Sequence, residues 1–276
     1  DSALYRDLFT DTDILRLFTD SAEIRAMMLV EGALAKAQGA LGLIPQDSAE
    51  AIHRAAMEVQ IDPSGLAAAT GQNGVPVPAL VAAFRAAMDA PEHAQYLHWG
   101  ATSQDIIDTG LVLRLRQALS LMETTQTRLL DALAAMAETH ADTPITARTY
   151  GQSATPTSFG AVVASWGWPH LAHLDRLDSG EVRFGAAGAS STMPQKQNPV
   201  GASVLVALAR HVVALNGAMQ GAALHRQQRD GAAWFTEWLS LPAMVMGTAK
   251  ALTTAADLIE TLEPQTNRMA ENLSDP

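Results

Sequence analysis

Between Gln104 and about His140 no proline interrupts the chain, and apolar residues recur as Ile107, Leu111, Leu115, Leu119, Leu129, Leu133 and Met136. Steps of three and four on either side of the longer step from Leu119 to Leu129 predict one helix, and a helix that long spans roughly 55 Å at 1.5 Å per residue. Two further long patterns, about 200–224 and 230–262, carry Ala- and Leu-rich faces wide enough to bury on more than one side. Earlier, Asp20-x-x-Glu23 resembles a capping box that opens an amphipathic stretch through Ala40, with Ile24, Met27, Met28, Leu34 and Ala35 at helical spacing and Gly42 closing it. Short helical patterns over 48–59 and 77–88 are separated by the turn-rich Thr70-Gly71-Gln72-Asn73-Gly74 and by Pro76 and Pro78. The expected fold is therefore all-α, with a helical domain over 1–100 and a long-helix bundle over 101–265. Faces this wide exceed what one chain can cover, which predicts oligomeric packing of the bundle.

Composition points the same way, since alanine dominates, aromatics make up only 5% and β-branched runs are scarce. There is no cysteine, so disulfides and thiolate metal sites are excluded. Asp1-Ser2-Ala3-Leu4-Tyr5-Arg6 lacks the basic-then-apolar order of a signal peptide. Arg210 and His211 interrupt the apolar stretch from Val204 to Leu224, which reads as too polar for a spanning helix. Both features place the protein in the cytoplasm with no membrane partner. A net charge of −11 argues against a nucleic-acid partner, because phosphate binding needs a basic face. The same field repels any polycarboxylate substrate, so the few cations near a site must overcome it locally. Lys196, Arg148 and Arg229 are the candidates.

Three polar segments carry the candidate chemistry. In Ala189-Ser190-Ser191-Thr192-Met193-Pro194-Gln195-Lys196-Gln197-Asn198-Pro199, glycines precede the run and two prolines fix φ within it, so it reads as a shaped loop between helices. Backbone N–H groups, the Lys196 ammonium and the Asn198 amide can converge on a carboxylate while Ser190 or Ser191 handles a proton. A Ser/Thr-rich surface turn with a stray lysine is the plainer alternative. The second segment, His98-Trp99-Gly100-Ala101-Thr102-Ser103-Gln104-Asp105-Ile106-Ile107-Asp108-Thr109, feeds the long helix, where Thr102 or Ser103 can cap the N-terminus and the dipole favours an anion. The third is Ala147-Arg148-Thr149-Tyr150-Gly151-Gln152-Ser153-Ala154-Thr155-Pro156-Thr157-Ser158.

Together the three segments resemble the conserved regions of the fumarase/aspartase superfamily. The loop is similar to the signature G-S-S-x-M-P-x-K-x-N-P with Ala189 at the first glycine, the second segment to H-x-G-x-T-S-x-D-x-x-D-T, and the third to G-R-T-H-x-Q-x-A-x-P-T-T. The resemblance implies a long-helix bundle of the fumarase/aspartase type, a homotetrameric helical core, and sites assembled from three subunits. It implies a small polycarboxylate substrate and no cofactor or metal. By position it makes Ser190 the general base and Lys196 its catalytic neighbour, with Asn198 and Lys196 binding a substrate carboxylate and Ser191 and Met193 lining the same loop. His98, Thr102 and Ser103 are implied to contact substrate, as are Arg148, Thr149, Tyr150 and Gln152.

Tyr150 is the departure that matters. Most members of the superfamily carry a histidine there, which helps protonate a poor leaving group such as an amine, and a phenol of pKa near 10 is a weak substitute. A carboxylate leaves without protonation. The chain accordingly resembles one branch, the 3-carboxy-cis,cis-muconate cycloisomerases, in which a carboxylate adds across its own conjugated double bond. The His98-Trp99-Gly100 spelling and Gly231-Ala232-Ala233-Trp234-Phe235-Thr236-Glu237-Trp238 agree with that branch. The rivals are a fumarate-releasing lyase of the argininosuccinate or adenylosuccinate type, a cycloisomerase for a sulfonated muconate, and an inert structural relative.

The superfamily pattern also carries a long helical stretch between Leu174-Asp175-Arg176-Leu177 and the signature loop, which this chain crosses with Asp178-Ser179-Gly180. Removing helices from a bundle centre exposes large apolar faces, so the junction is expected to mark an omitted stretch rather than a true deletion. Residues 266–276 read as the start of a C-terminal domain. His170 and His173 lack a third ligand and read as structural rather than as a metal pair.

Overall fold

The computed structural model describes residues 4–149, 152–178, 200–225, 230–264, 266, 267, 269 and 270. Helices α1 (Arg6–Phe9) and α2 (Thr12–Leu15) lead into α3 (Asp20–Ala40), α4 (Gln46–Glu58), α5 (Ala67–Asn73), α6 (Val77–Met88) and α7 (Pro91–Ala94). The 37-residue helix α8 (Ser103–Thr139) follows, then a hairpin of β1 (Pro144–Thr149) and β2 (Gln152–Ser158), and the long helices α9 (Phe159–Asp178), α10 (Val200–Ala222) and α11 (Gly231–Thr261). The all-α reading is confirmed apart from the hairpin.

The chain divides into two compact units, residues 15–119 and residues 1–14 with 120–276. In the first, α3 packs closely against α4. A Cβ on Gly32 would lie 2.7 Å from the Ala56 Cβ, so glycine lets the two backbones approach. Met27, Met28, Ile52, Leu80 and Phe84 are among its largest fully buried side chains. The N-cap of α3 is Thr19, one residue before the sequence expectation, and its hydroxyl accepts from Ala22 N–H at 3.2 Å. At the far end Gly42, at φ +70°, completes a Schellman turn: Gly42 N–H donates to Gly39 and Leu43 N–H to Gln38, both at 2.9 Å. The Thr70–Gly74 stretch is helical through Asn73 and turns only at Gly74, φ +72°. The Thr70 hydroxyl, which donates to the Leu66 carbonyl at 2.8 Å, helps carry the helix through Gly71. Arg114 of α8 is buried beside Glu23 at 3.3 Å; burial lowers its pKa from the ordinary value and the Glu23 charge partly offsets this.

In the second unit, Leu129 and Leu133 of α8, Phe159 and Val163 of α9 and Ala256 of α11 form one buried cluster. Val204 and Leu208 of α10 form another with Ala251 of α11, against Leu8 of α1. Asp230 caps α11 by accepting from Ala232 N–H at 3.1 Å, and Pro242 sits within that helix. From Gly201 to Ala222 mean hydropathy reaches 1.5, so α10 is long and apolar enough to cross a membrane by length and composition, and only 11% of that window is buried. The expectation that Arg210 and His211 make this stretch too polar does not hold, because the surrounding Val, Leu and Ala outweigh them. Trp168, next to Pro169 within α9, is 73% exposed.

Candidate active site

The segment before α8 is held by three side chains of its own unit. Arg85 of α6 donates to the Leu97 carbonyl at 2.8 Å, and Gln38 of α3 donates to the Trp99 carbonyl at 2.6 Å. Between them, the His98 Nδ1 lies 2.6 Å from the Glu31 carboxylate of α3. Glu31 and Gln38 are seven residues apart and so share a helix face. Pinned on both sides, His98 takes φ +62°, a left-handed conformation that costs an ordinary L-residue about 1–2 kcal/mol. Gly100, at φ +70°, continues the turn, and Ala101 N–H donates to the His98 carbonyl at 3.4 Å.

Helix α8 begins at Ser103, which puts Thr102 at the N-cap position. Its backbone N–H donates to the Asp105 carboxylate at 2.8 Å, half of a capping box. Asp105 thus serves its own helix. His98, Thr102 and Ser103, brought together here within one turn, are all half-buried. The Tyr96 and Trp99 rings meet at 5.7 Å, and Trp99 is 52% exposed.

The second candidate group sits on the hairpin. Pro144 pairs with Ser158 and Ile145 with Thr157 in antiparallel register, and an irregularity between Thr146 and Arg148 shifts the pairing before Thr149 meets Gln152. Pro156 cannot donate to a ladder, which fits the break beside it. Arg148, Thr149 and Gln152 therefore stand together at the hairpin end, all exposed. The low count of β-branched runs hid this hairpin, although Ile145, Thr146, Thr149, Thr155 and Thr157 supply the residues that favour it. Tyr150, Ser190, Ser191, Met193, Lys196, Asn198 and Arg229 lie outside the described residues, as does the Ser179-Gly180 junction.

Glu31 is the residue the sequence reading missed. Its side chain is 1% exposed, and its Oε2 has no hydrogen-bond partner among the described residues. The signal was available, since a carboxylate at position 31 falls on the apolar stripe of Met27, Met28 and Ala35. Two cavities lie elsewhere. One of about 450 Å³ is lined by Ile24, Arg25, Met28 and Met57, and one of about 160 Å³ by Asp11, Asp13, Thr125 and Thr253. Neither is bordered by a residue of the three candidate segments. Arg25 is committed to the Ala56 and Met57 carbonyls that end α4, a C-capping role.

A lyase family profile matches residues 4–184. The chain belongs to this lyase family. Among relatives of this lyase, the 3-carboxy-cis,cis-muconate cycloisomerase of Pseudomonas aeruginosa is 31% identical, covering 98% of this chain and 77% of that one. The nitrosuccinate lyase of Streptomyces davaonensis is 29% identical, covering 99% and 77%. In fold, the 3-carboxy-cis,cis-muconate lactonizing enzyme of Pseudomonas putida superposes with a TM-score of 0.91 at 28% identity, covering 99% of this chain and 80% of that one. The Pseudomonas aeruginosa alignment spans 357 positions against a lyase chain of 276 residues, so that relative carries residues with no counterpart here.

Proposed function

We propose that the chain is a cycloisomerase that interconverts 3-carboxy-cis,cis-muconate and a carboxymuconolactone, a step in aromatic (protocatechuate) catabolism. The observation that carries this reading is its likeness, along nearly the whole chain and in fold, to enzymes bearing that name. Tyr150 supports it chemically. In the forward direction a substrate carboxylate oxygen bonds to an olefinic carbon, and the displaced electron pair moves onto the neighbouring carboxylate as an aci-carboxylate. Ser190 then gives its proton to carbon and regains one from water, so the ionised product carries one proton more and one negative charge fewer than the ionised substrate, and the two are isomers as free acids.

The developing dianion is stabilised poorly by water. Lys196, Asn198, Thr149 and loop N–H groups hold it through fixed donors, a contribution that often exceeds any other single effect. His98, Thr102 and Ser103 hold a carboxylate at the start of α8, where the helix dipole favours negative charge. Arg148, Tyr150, Gln152, Ser191 and Met193 complete the lining. The hairpin group and the α8 group belong to different compact units. We infer that they meet, with the signature loop, between three subunits of a homotetramer. The bare faces of α10 and α11 support that assembly, with Val213 71% and Leu239 79% exposed.

The deciding experiment follows the ultraviolet absorbance of the conjugated diene after adding carboxymuconate to the purified protein. Loss of the diene with formation of a lactone is expected; an unchanged spectrum overturns the reading. The likeness to a nitrosuccinate lyase favours a second reading, fumarate release from a substituted succinate. Nitrite, like a carboxylate, leaves as an anion without protonation, so Tyr150 does not separate these two. Fumarate release from nitrosuccinate, argininosuccinate and adenylosuccinate, assayed in parallel, does. A sulfonated muconate belongs in the same panel.

A further inference from the structure

The clamp on residues 97–99 spends three polar side chains, two from α3 and one from α6, on a short non-helical segment. Such a cost in buried polarity and a left-handed histidine persists only when the surroundings over-determine it. Two of the three clamps bind backbone carbonyls and fix the path of the chain. The third differs, because Glu31 reaches the imidazole itself and does so from a site that is 1% exposed. A buried carboxylate with one oxygen unpaired is costly, so its placement calls for a return beyond packing.

We propose that Glu31 is a positioning residue, whose buried carboxylate takes the Nδ1–H of His98, fixes the tautomer and direction of the ring, and leaves Nε2 as the one nitrogen presented to substrate. The geometry suits the role. At 2.6 Å the contact lies just below the usual range of roughly 2.7–2.9 Å for a charge-assisted N–H···O bond. Nδ1 is thereby used up, and Nε2 has no protein partner among the described residues. The His98 side chain keeps 19% of its surface exposed while Glu31 keeps 1%, so the pair runs from the interior outward. A ring held at Nδ1 and by a constrained backbone cannot flip, and substrate meets one fixed atom. The inference rests on the reading that His98 contacts a carboxylate-bearing substrate; a carboxylate only accepts, so in that complex the ring is the imidazolium, with Nδ1–H donated to Glu31 and Nε2–H to the substrate.

The test uses Glu31→Gln, His98→Asn and the double variant, with asparagine chosen because it tolerates the left-handed backbone. Glu31→Gln is expected to lower kcat/KM for carboxymuconate roughly ten- to hundredfold, mostly through KM, as misplacement of a binding group does. A merely structural loss would reduce the active fraction and so kcat, leaving KM in place. Adding Glu31→Gln to His98→Asn is expected to cost little more, since Glu31 acts through the ring. Nitrogen-15 spectra of the free tetramer supply a readout that needs no substrate: neutral His98 is expected to carry its proton on Nδ1 in the parent and to lose that preference in Glu31→Gln. Additive losses in the double variant, or a parent His98 protonated on Nε2, overturn the proposal. Should Glu31→Gln fail to fold, the parent tautomer decides alone. If carboxymuconate is not consumed but the tautomer is as expected, the proposed reaction fails and the Glu31 role stands.

Discussion

A Ser190→Ala variant is expected to lose turnover of carboxymuconate by roughly a thousandfold or more, the span attributed to a positioned proton donor or base. Serine is a poor base in water, so the proposed proton transfer at carbon requires surroundings that supply hydrogen-bond donors and exclude solvent. On the proposed roles, removing one oxygen takes away the proton carrier and leaves Lys196 and Asn198 to bind the substrate, so KM should change far less than kcat. Diene loss measured at saturating substrate gives the first number, and a denaturation curve with a sedimentation mass shows that fold and assembly are unchanged. Near-normal activity in this variant would remove Ser190 from the mechanism, whatever the substrate.

The second large effect is structural. A methyl on Gly160 would sit 2.8 Å from both the Cα and the N of Ala141 and closer still to the Ala137 carbonyl oxygen. All three neighbours are backbone atoms of the corner that ends α8, so no side chain can swing aside. Gly160 N–H donates to the His140 carbonyl and Phe159 N–H to the Thr143 carbonyl, each at 2.8 Å, which fastens the start of α9 against the start of the hairpin. Gly160→Ala is therefore expected to destabilise the protein by about 3 kcal/mol, at the upper end for overpacking. Shifting the corner also shifts Arg148, Thr149 and Gln152, so activity should fall before the fold is lost. A urea midpoint equal to that of the parent would show that the corner has room to spare.

The long helices were readable because their apolar period persists over many turns: the stretch expected from Gln104 to about His140 is α8, Ser103–Thr139, and the stretch expected to open at an Asp20 cap and run through Ala40 is α3, Asp20–Ala40, one residue longer at its start. Signals of one or two residues were weaker. Thr19 caps α3 although Asp20 looked equally suited, because only the backbone geometry tells which oxygen faces the free N–H groups. At Thr70–Asn73, glycine and asparagine suggested a turn, yet one more helical turn forms before Gly74 breaks it. The hairpin escaped notice because its alternation is spoiled by the irregularity near Arg148 and by Pro156, and because two strands give no long period. At the site, His98, Thr102 and Ser103 could be named from motif order alone. Glu31 could not, since the motif runs along the chain and the partner arrives from a helix 67 residues earlier. Periodicity finds what packs, motifs find what is consecutive, and a lone buried carboxylate belongs to neither class.

The sparsely covered α10 has a practical corollary. If the proposed homotetramer forms, folding and self-association of a protomer whose long apolar helix finds only partial shelter in its own chain become a single equilibrium, and dilution works as a mild denaturant. Melting temperatures compared between variants then carry meaning only at matched concentration. An assay run at nanomolar enzyme can record dissociation as though it were a catalytic defect.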